Sequence, residues 1–508
     1  MMKNLMNKAI LASLLTLGLT ISTPADACTT VLAGRGATAN GAWLMSRTID
    51  RHSSDKADSM HYEYCPAVIK RKRFKSLTNG FTWEQKDNAY GFMRLCAIDG
   101  DWGEVGINDV HVAMSATETT FPSDRVLAVD PFNTESGLDE ATAMNAVLPQ
   151  IKSAREGVVL IGSIVEKKGT AEGYGIMFAD KEEMWYFECA SGHQWLAVRL
   201  PEEAVFICAN QTRIRDFDPN DKENFMYSSG LMDFAIQNGF YDPSKDKKFD
   251  FHTVFANDNP YNKKYNHVRV ARLQELMLGE KPQKIFRNGD GYSVYITPKE
   301  PVTIEKLKTL QRDHYNGTNK DMYQKQDYTI DWRPVSVFRC AQGHIVEIRP
   351  ELPPELGMVE YDVFGMPDLG LYLPYYHGFK DYPKIYTQND GAGAEWHFRR
   401  VSTLVMQDYP RYAPAVKSAY SQFEVDYNRR LQEMEKQYLE LYKSNPNKAQ
   451  ELLQKVNREI LLEGVALADK LCEEILRKMA HKIDVEYNYS AHGKNGVEAV
   501  STKHSDKE

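Results

Sequence analysis

The sequence lacks the patterns that usually mark a metal, membrane or nucleic-acid function. Among its 508 residues there is no CxxC pair and no HExxH, so neither a metal nor an organic cofactor is predicted. After residue 27 no stretch is apolar enough to span a membrane. The net charge is −8, and the one dense basic run lies at residues 70–73. A nucleic-acid partner is therefore not expected, because phosphate binding needs a concentrated basic face.

Cysteine is also scarce, with seven residues in the chain. Six follow Cys28, and their spacings do not resemble a compact disulfide framework. Cys189 and Cys208 lie in apolar runs typical of strands, where a buried free thiol is the expected state. Cys28 differs from the others because of what precedes it.

The first 27 residues have the pattern of an export signal. Lys3 and Lys8 provide a positive start, residues 9–21 are apolar and uncharged, and Ala25-x-Ala27 supplies the small residues that a signal peptidase reads. The apolar part is too short to span a bilayer, which needs about 20 residues. We therefore predict an exported protein, periplasmic or extracellular, whose mature chain begins at Cys28.

A cysteine at a free N-terminus carries its own base. The α-amine, with an ordinary pKa of roughly 8, can take the proton of a thiol whose ordinary pKa is about 8.5. The alternative is that Cys28 is lipidated, which would make the chain a lipid-anchored surface protein without catalysis. Ala25 and Asp26 fit a lipidation motif poorly.

The mature chain is predicted to open with a β-hairpin. Residues 28–33 and 42–49 read as strands, and Asn40-Gly41 supplies turn residues. Arg47 and Asp50 come near the end of the second strand. They are three residues apart, so a bend is needed if both side chains are to reach one place.

The remaining pattern predicts layered helices and antiparallel strands rather than alternating βαβ units. Helices are predicted at 139–148, before 165, and at 265–278; a strand at 110–116; a hairpin within 336–349 turned at 341–343; and an antiparallel meander of four strands at 174–179, 184–189, 194–200 and 204–209. We expect a catalytic domain at 28–390, a helical region at 391–486 and a disordered tail at 487–508.

Three short segments resemble one family. Cys28-Thr29-Thr30, Arg47-x-x-Asp50 and Cys208-Ala209-Asn210-Gln211 are similar to the cysteine dipeptidases of the dipeptidase A (PepD) type. These belong to the N-terminal nucleophile hydrolases, together with penicillin V acylases and bile salt hydrolases. The resemblance implies an α+β fold with four αββα layers.

The resemblance also implies roles in the first hairpin. Cys28 would be the nucleophile and, through its α-amine, the general base, and the reaction would pass through a thioester that water hydrolyses. Arg47 would favour the thiolate, and Asp50 would hold the terminal amine by a charge-assisted hydrogen bond. On spacing alone, an ordinary salt bridge at the end of the strand is the more usual explanation of Arg47 and Asp50.

Further positions follow from the same resemblance. Asn210 would help to form the oxyanion hole, and Arg269 would be the second active-site arginine, with Arg272 as its rival one turn later. Where the acylase and bile salt hydrolase relatives carry an asparagine, this chain has Thr117 and Glu118. Glu118 could meet the charged α-amine of a short peptide, or be an exposed acidic residue.

The sequence thus predicts an exported hydrolase that cleaves the amide bond of dipeptides or very short peptides without a metal or organic cofactor. The expected partner is the peptide substrate, and a homo-oligomer is possible. A second interpretation keeps the mechanism but takes an acylated amine as substrate, such as a bile salt, penicillin V or an N-acyl amino acid.

Overall fold

A computed structural model of the chain describes residues 27–50, 60–70, 73–97, 102–246, 248–284, 291–388, 392–493 and 496–501. At positions 27, 117, 118, 484–493 and 496–501 it describes the backbone but not the side chains. Except for the backbone of residue 27, the predicted export signal lies outside the described residues.

The first of two large sheets has seven antiparallel strands and contains Cys28. Its strands are β1 (Ala27–Ala33), β2 (Trp43–Asp50), β12 (Val205–Cys208), β14 (Tyr295–Ile296), β15 (Cys340–Ile348), β16 (Met358–Phe364) and β17 (Leu373–Tyr376). Their order across the sheet is β14-β12-β1-β2-β15-β16-β17. The predicted first hairpin is confirmed as β1 and β2.

The second large sheet has eight antiparallel strands. They are β3 (His61–Cys65), β6 (Phe92–Cys96), β7 (Gly103–Asn108), β8 (Ala113–Thr119), β9 (Tyr174–Ala179), β10 (Met184–Cys189), β11 (Trp195–Arg199) and β13 (Phe225–Tyr227). Their order is β13-β11-β10-β9-β8-β7-β6-β3. A small separate hairpin pairs β4 (Arg73–Lys75) with β5 (Thr82–Glu84).

The α-helices of the described residues are α1 (Asp124–Leu127), α2 (Glu140–Val147), α3 (Ala154–Lys168), α4 (Leu231–Gln237), α5 (Phe251–Phe255), α6 (Pro260–Leu278), α7 (Ile304–Gln311), α8 (Met322–Lys325), α9 (Pro354–Gly357), α10 (Lys384–Thr387), α11 (Ala394–Val405), α12 (Tyr409–Tyr442) and α13 (Pro446–Glu486). Short 3-10 turns lie at Arg35–Ala37, Leu148–Gln150 and Pro367–Leu369. None of the described helices is both long and apolar enough to cross a membrane.

The two sheets face each other and are covered by helices on their outer sides. β1 contacts β8, and β2 contacts β9, across the interior. Helices α2 and α3 lie on the second sheet, whereas α6, α7, α11 and α13 contact the first. The architecture is therefore α+β with four αββα layers, as predicted, and β1 is a central strand of the first sheet.

The helix that carries Arg269 has clear start and stop residues. The side chain of Asn259 accepts a hydrogen bond from the Asn262 backbone, and Pro260 occupies the first turn. Gly279 ends the helix with φ +72°, a left-handed conformation that suits glycine. Helix α6 therefore begins five residues before the predicted start at Tyr265.

One predicted strand starts later than its sequence indicates. Residues 110–116 read as a strand, but β8 begins at Ala113 because Asn108 holds a longer turn. Its side-chain oxygen accepts from the backbone nitrogens of Val110 and Val112, at 3.2 and 2.9 Å, and His111 has φ +67°. Asparagine side chains compete with strand pairing in this way.

The predicted four-strand meander is wrong at its last strand. β9, β10 and β11 form the meander, but β12 pairs with β1 in the other sheet, with Thr30 opposite Cys208. The crossing depends on a close backbone approach, because Gly34 donates to the Ala204 carbonyl at 2.9 Å. A Cβ atom on Gly34 would lie 2.2 Å from the Glu202 carbonyl oxygen.

The hairpin predicted within 336–349 is also wrong. Residues 340–348 form the single strand β15, and the predicted turn residues lie inside it. Gly343 is not a turn residue but leaves space for Gln311, the last residue of helix α7. A Cβ atom on Gly343 would lie 3.0 Å from the Gln311 side-chain oxygen. Gln311 donates to the carbonyls of His344 and Arg47, at 2.9 and 3.1 Å, and so ties α7 to the sheet.

Helices fill most of the chain after residue 393, as the sequence predicts. Beyond them, β18 (Tyr487–Gly493) and β19 (Gly496–Ser501) pair as a hairpin, whereas the sequence predicts a disordered tail. Aromatic and β-branched residues, such as Tyr487, Tyr489 and Val500, suit extended backbone. Residues 494–495 and 502–508 lie outside the described residues.

Candidate active site

Cys28 lies in β1 opposite Ile49 of β2 and is almost completely buried. Its backbone nitrogen donates to Asn210 Oδ1 at 3.1 Å, and its carbonyl oxygen accepts from Arg269 Nη1 at 2.6 Å. Its sulfur accepts from Arg47 Nη2 at 3.1 Å. In the full-length chain the nitrogen belongs to the Ala27–Cys28 peptide bond, so cleavage there would convert it into an amine.

Arg47 is fixed by an acidic residue of the opposite sheet. Its Nη1 lies 3.1 Å from Glu104 Oε2, and both side chains are 3% exposed. Nη1 also donates to the Ala116 carbonyl in β8. This ion pair offsets the cost of burying the guanidinium and directs Nη2 at the Cys28 sulfur.

Asn210 follows directly after β12 and is oriented by two donors. Its Oδ1 accepts from the Cys28 nitrogen and from Arg269 Nη2, the latter at 2.9 Å. Because both partners are donors, the oxygen must face them and Nδ2 must face the other way. The amide is therefore positioned as a hydrogen-bond donor beside the reactive atoms.

Arg269 is fully buried in α6 and links the parts of the site. Besides Cys28 and Asn210, it donates to Thr29 Oγ1 at 2.9 Å and to Asn266 Oδ1 at 2.8 Å. All of these acceptors are neutral. Among the described residues, its positive charge is therefore directed at the strand that carries Cys28 rather than into an ion pair.

The rival arginine lies elsewhere. Arg272 forms a forked ion pair with Asp313, whose shortest distance is 2.9 Å from Nη2 to Oδ2. It belongs to the contact between α6 and the loop after α7. Of the two candidates, the structure brings Arg269 to Cys28.

Asp50 is buried at the end of β2, but its described contacts differ from the predicted one. Its Oδ2 pairs with Arg333, and its Oδ1 lies 2.7 Å from the Cys340 sulfur. The nitrogen of Cys28 instead meets Asn210. Holding of the terminal amine by Asp50 stays a prediction for the cleaved chain.

Burial shifts the pKa values of both partners of Asp50. It lowers the pKa of the Arg333 guanidinium to about 9, with the charge of Arg339 acting in the same direction. It raises the pKa of the Cys340 thiol to about 11. Cys340 is thus expected to be a neutral thiol that donates to Asp50.

The predicted substrate-binding residues lie at an irregularity in β8. The register with β9 shifts between Ala116 and Glu118, and Glu118 lies opposite Gly175. A bulge of this kind redirects side chains locally. The side chains of Thr117 and Glu118 lie outside the described residues, so their predicted roles are not addressed.

Several neighbours of the site were missed by sequence reasoning. Glu104, Asn266 and Arg333 are each brought in by a separate element, and no spacing pattern links them to Cys28. Only the position of Asn266, three residues before Arg269 on one helix, could have indicated a contact. The others are identified by tertiary structure alone.

One group among the described residues has the chemistry of metal ligands: His61, Glu63 and Cys96. It lies on β3 and β6, at the edge of the second sheet. Arg94 already engages its exposed carboxylate, with Nη2 at 2.6 Å from Glu63 Oε2. Burial raises the pKa of the Cys96 thiol to about 12, which disfavours the thiolate that a metal would bind.

The arrangement around Cys28 suits attack on a carbonyl carbon. It combines a thiol beside a guanidinium with an oriented amide donor and a second guanidinium that binds the Cys28 carbonyl. The four layers with a cysteine at the start of a central strand form the fold of the N-terminal nucleophile hydrolases.

Comparison with known proteins identifies the family. The description "Peptidase family C69" matches residues 27–422, and the chain belongs to this family of peptide-bond hydrolases. The resemblance noted in the sequence is thereby confirmed.

Relatives with curated names are similar over most of their length. A "Probable dipeptidase" of Salmonella dublin is 40% identical over 363 residues, which cover 70% of this chain and 82% of that one. A "Probable dipeptidase" of Latilactobacillus sakei is 30% identical over 418 residues, covering 80% and 85%. "Dipeptidase A" of Lactobacillus helveticus is 29% identical over 375 residues, covering 71% and 77%.

Among solved structures, a variant of conjugated bile acid hydrolase from Clostridium perfringens is similar to 66% of this chain and 89% of its own. The sequence identity is 11% and the TM-score is 0.25, a likeness too slight to bear on substrate or mechanism.

Proposed function

We propose that this protein is an exported cysteine dipeptidase whose nucleophile is Cys28, exposed by removal of residues 1–27. The observation that carries the proposal is the set of contacts at Cys28, in which its sulfur, its nitrogen and its carbonyl oxygen each meet a polar side chain. The names of the relatives support the dipeptide substrate. The family match begins at residue 27, which is consistent with a leader that lies outside the enzyme.

The reaction follows from the positions of these groups. The free α-amine takes the thiol proton, and the sulfur attacks the carbonyl carbon of the peptide bond. The developing oxyanion accepts from Asn210 Nδ2. The amine then returns the proton to the leaving amino group, which leaves a thioester on Cys28. Water, deprotonated by the same amine, hydrolyses the thioester.

The two buried arginines have different tasks in this reaction. Arg47 lies against the sulfur and favours the thiolate. Arg269 donates hydrogen bonds to the Cys28 carbonyl and to Asn210 Oδ1. It therefore fixes the position of the oxyanion donor relative to the nucleophile. Asp50 would hold the new α-amine, and Thr117 and Glu118 would meet the substrate's own amine.

Replacement of the nucleophile tests the proposal. Cys28→Ala should abolish hydrolysis of dipeptides and leave the thermal midpoint close to that of the wild type, because the thiol carries little packing. The assay is a panel of dipeptides and acyl amides run on the purified mature form. Cys65→Ala, which changes a half-buried thiol away from the site, is the matched control and should keep full activity.

The panel also separates the alternatives. Undiminished turnover by Cys28→Ala would place the nucleophile elsewhere. A wild-type enzyme that cleaves bile salts, penicillin V or N-acyl amino acids but not dipeptides would contradict the proposed substrate while preserving the mechanism.

A further inference from the structure

Two half-buried arginines meet an aromatic side chain at the end of the site. Tyr265, in the first half of α6, accepts hydrogen bonds at Oη from Arg339 Nη2 at 2.7 Å and from Arg333 Nε at 3.2 Å. The Arg269 guanidinium lies over the Tyr265 ring, 4.9 Å from its centre. Three guanidinium groups are thus gathered around one phenol, and one of them contacts Cys28.

Positive charge is in excess in this cluster. Arg333 pairs with Asp50. Arg269 has the neutral acceptors described above, and Arg339 has no carboxylate partner within the described part of the chain. Like charges placed together without counter-ions are costly unless an anion binds between them. Arg339 uses one of its five N–H donors on Tyr265, so the others are available to a ligand.

The cluster lies where cleavage would open space. Asp50, the partner of Arg333, is opposite Ala27 in the pairing of β1 with β2. Removal of residue 27 therefore uncovers the end of β1 next to this ion pair. In a dipeptide the carboxylate is only three bonds beyond the scissile carbonyl carbon, so it must lie near the nucleophile.

We propose that Arg339, supported by Arg333 and Tyr265, binds the C-terminal carboxylate of the substrate. This inference rests on the proposed dipeptidase function. Recognition of the C-terminal carboxylate would restrict the enzyme to very short peptides. A guanidinium can hold a carboxylate through two parallel hydrogen bonds, which adds orientation to charge. A longer peptide would present a neutral amide at the same place and would leave the arginine without its anion.

A pair of substrates tests the inference. The dipeptide cleaved best by the wild-type enzyme is compared with the same dipeptide as its C-terminal amide. We expect the wild type to favour the free acid by roughly 10- to 100-fold in kcat/KM, the usual effect of hydrogen bonds between charged groups. In Arg339→Gln the preference should fall to about threefold or less, because kcat/KM falls much further for the free acid than for the amide.

Matched variants control for folding. Arg339→Lys keeps the charge and should retain part of the preference, and Arg429→Gln, an exposed residue of α12, should behave as the wild type. Equal slowing of both substrates by Arg339→Gln would show that the residue acts on the structure. A wild type without preference for the free acid would overturn the inference and leave the dipeptidase standing. A wild type that cleaves no dipeptide of the panel from which this pair is chosen would overturn the proposed function itself.

Discussion

Cys28 illustrates how a single residue can depend on distant parts of the chain. Its three described partners, Arg47, Asn210 and Arg269, come from β2, the end of β12 and α6. Each partner is in turn fixed by others: Arg47 by Glu104, and Asn210 by Arg269. Cys28 is thus held by a network rather than by a single pair, which is the condition for precise positioning.

Asn210 gives the sharpest prediction at this scale. Asn210→Ala removes the proposed oxyanion donor and should lower kcat by about 10²- to 10³-fold with a much smaller effect on KM, because the lost interaction strengthens in the transition state. Steady-state kinetics with a good dipeptide measures both. As a control, Asn238→Ala changes an exposed asparagine and should leave kcat and KM at their wild-type values. An Asn210→Ala enzyme with a kcat within a few-fold of the wild type would exclude Asn210 as the oxyanion donor.

The sequence predicted much of this site but not all of it. Cys28, Arg47 and Asn210 were singled out because they lie in short patterns that resemble one family, and Arg269 because of its place near the start of a predicted helix. The structure brings all four together. The partners of Asp50 could not be predicted, since Arg333 and Cys340 come from distant segments without a motif. Contacts of this kind depend on strand pairing rather than on local sequence.

At the scale of elements, helix α6 carries two arginines with different tasks. Arg269 faces Cys28 in β1, and Arg272, one turn later, faces Asp313. Arg269→Gln should lower kcat by roughly 10- to 100-fold, whereas Arg272→Gln should keep activity within a few-fold and cost about 1–3 kcal/mol of unfolding free energy. Steady-state kinetics and chemical denaturation of both variants measure these effects. A large loss of kcat in Arg272→Gln with little loss in Arg269→Gln would show that Arg272 is the arginine of the active site.

A second element-scale feature fastens the long helix α12 to the first sheet. Asp368, in the 3-10 turn after β16, is buried and accepts from Tyr409 Oη at 2.5 Å and from Lys417 Nζ. His314 Nε2 lies 3.4 Å from it. Burial alone would raise the pKa of Asp368, but the hydrogen bond and charge of His314, with the charge of Lys417, lower it to about 2.

This contact makes stability depend on pH in a defined direction. An acid whose pKa is lowered by folding stabilises the native state above its ordinary pKa near 4, and this contribution is lost as the pH falls through about 2. Asp368→Asn should therefore be less stable than the wild type by about 2 kcal/mol at pH 7, and the gap should close towards pH 2. Denaturant titrations across that range measure it, and a constant gap would contradict the linkage.

Element prediction failed where tertiary contacts overrode local pattern. The apolar run of β12 reads as the fourth strand of a meander, but Gly34 lets the chain cross to β1. The pattern around Gly343 reads as a turn, but that glycine makes room for Gln311. In both cases the glycine allows two segments that are far apart in sequence to come close together. Such a contact cannot be predicted from the local sequence pattern.

At the scale of the whole molecule, the two sheets bring the site's halves together. The first sheet supplies Cys28 and Arg47, and the second supplies Glu104, which fixes Arg47 from the opposite side. The order of strands and helices predicted layered α and β structure, and the resemblance to one family implied the four αββα layers. It could not predict the pairing across the interior, which depends on how the sheets align.

The central claim is that the sulfur of Cys28 is activated by a free amine on the same residue. Intact mass and N-terminal sequencing of the purified, active protein test it most directly. The predicted result is a chain that begins at Cys28 with an unmodified amine. A protein that hydrolyses dipeptides at full rate while Ala27 is still attached, or while Cys28 carries a lipid, would contradict the mechanism.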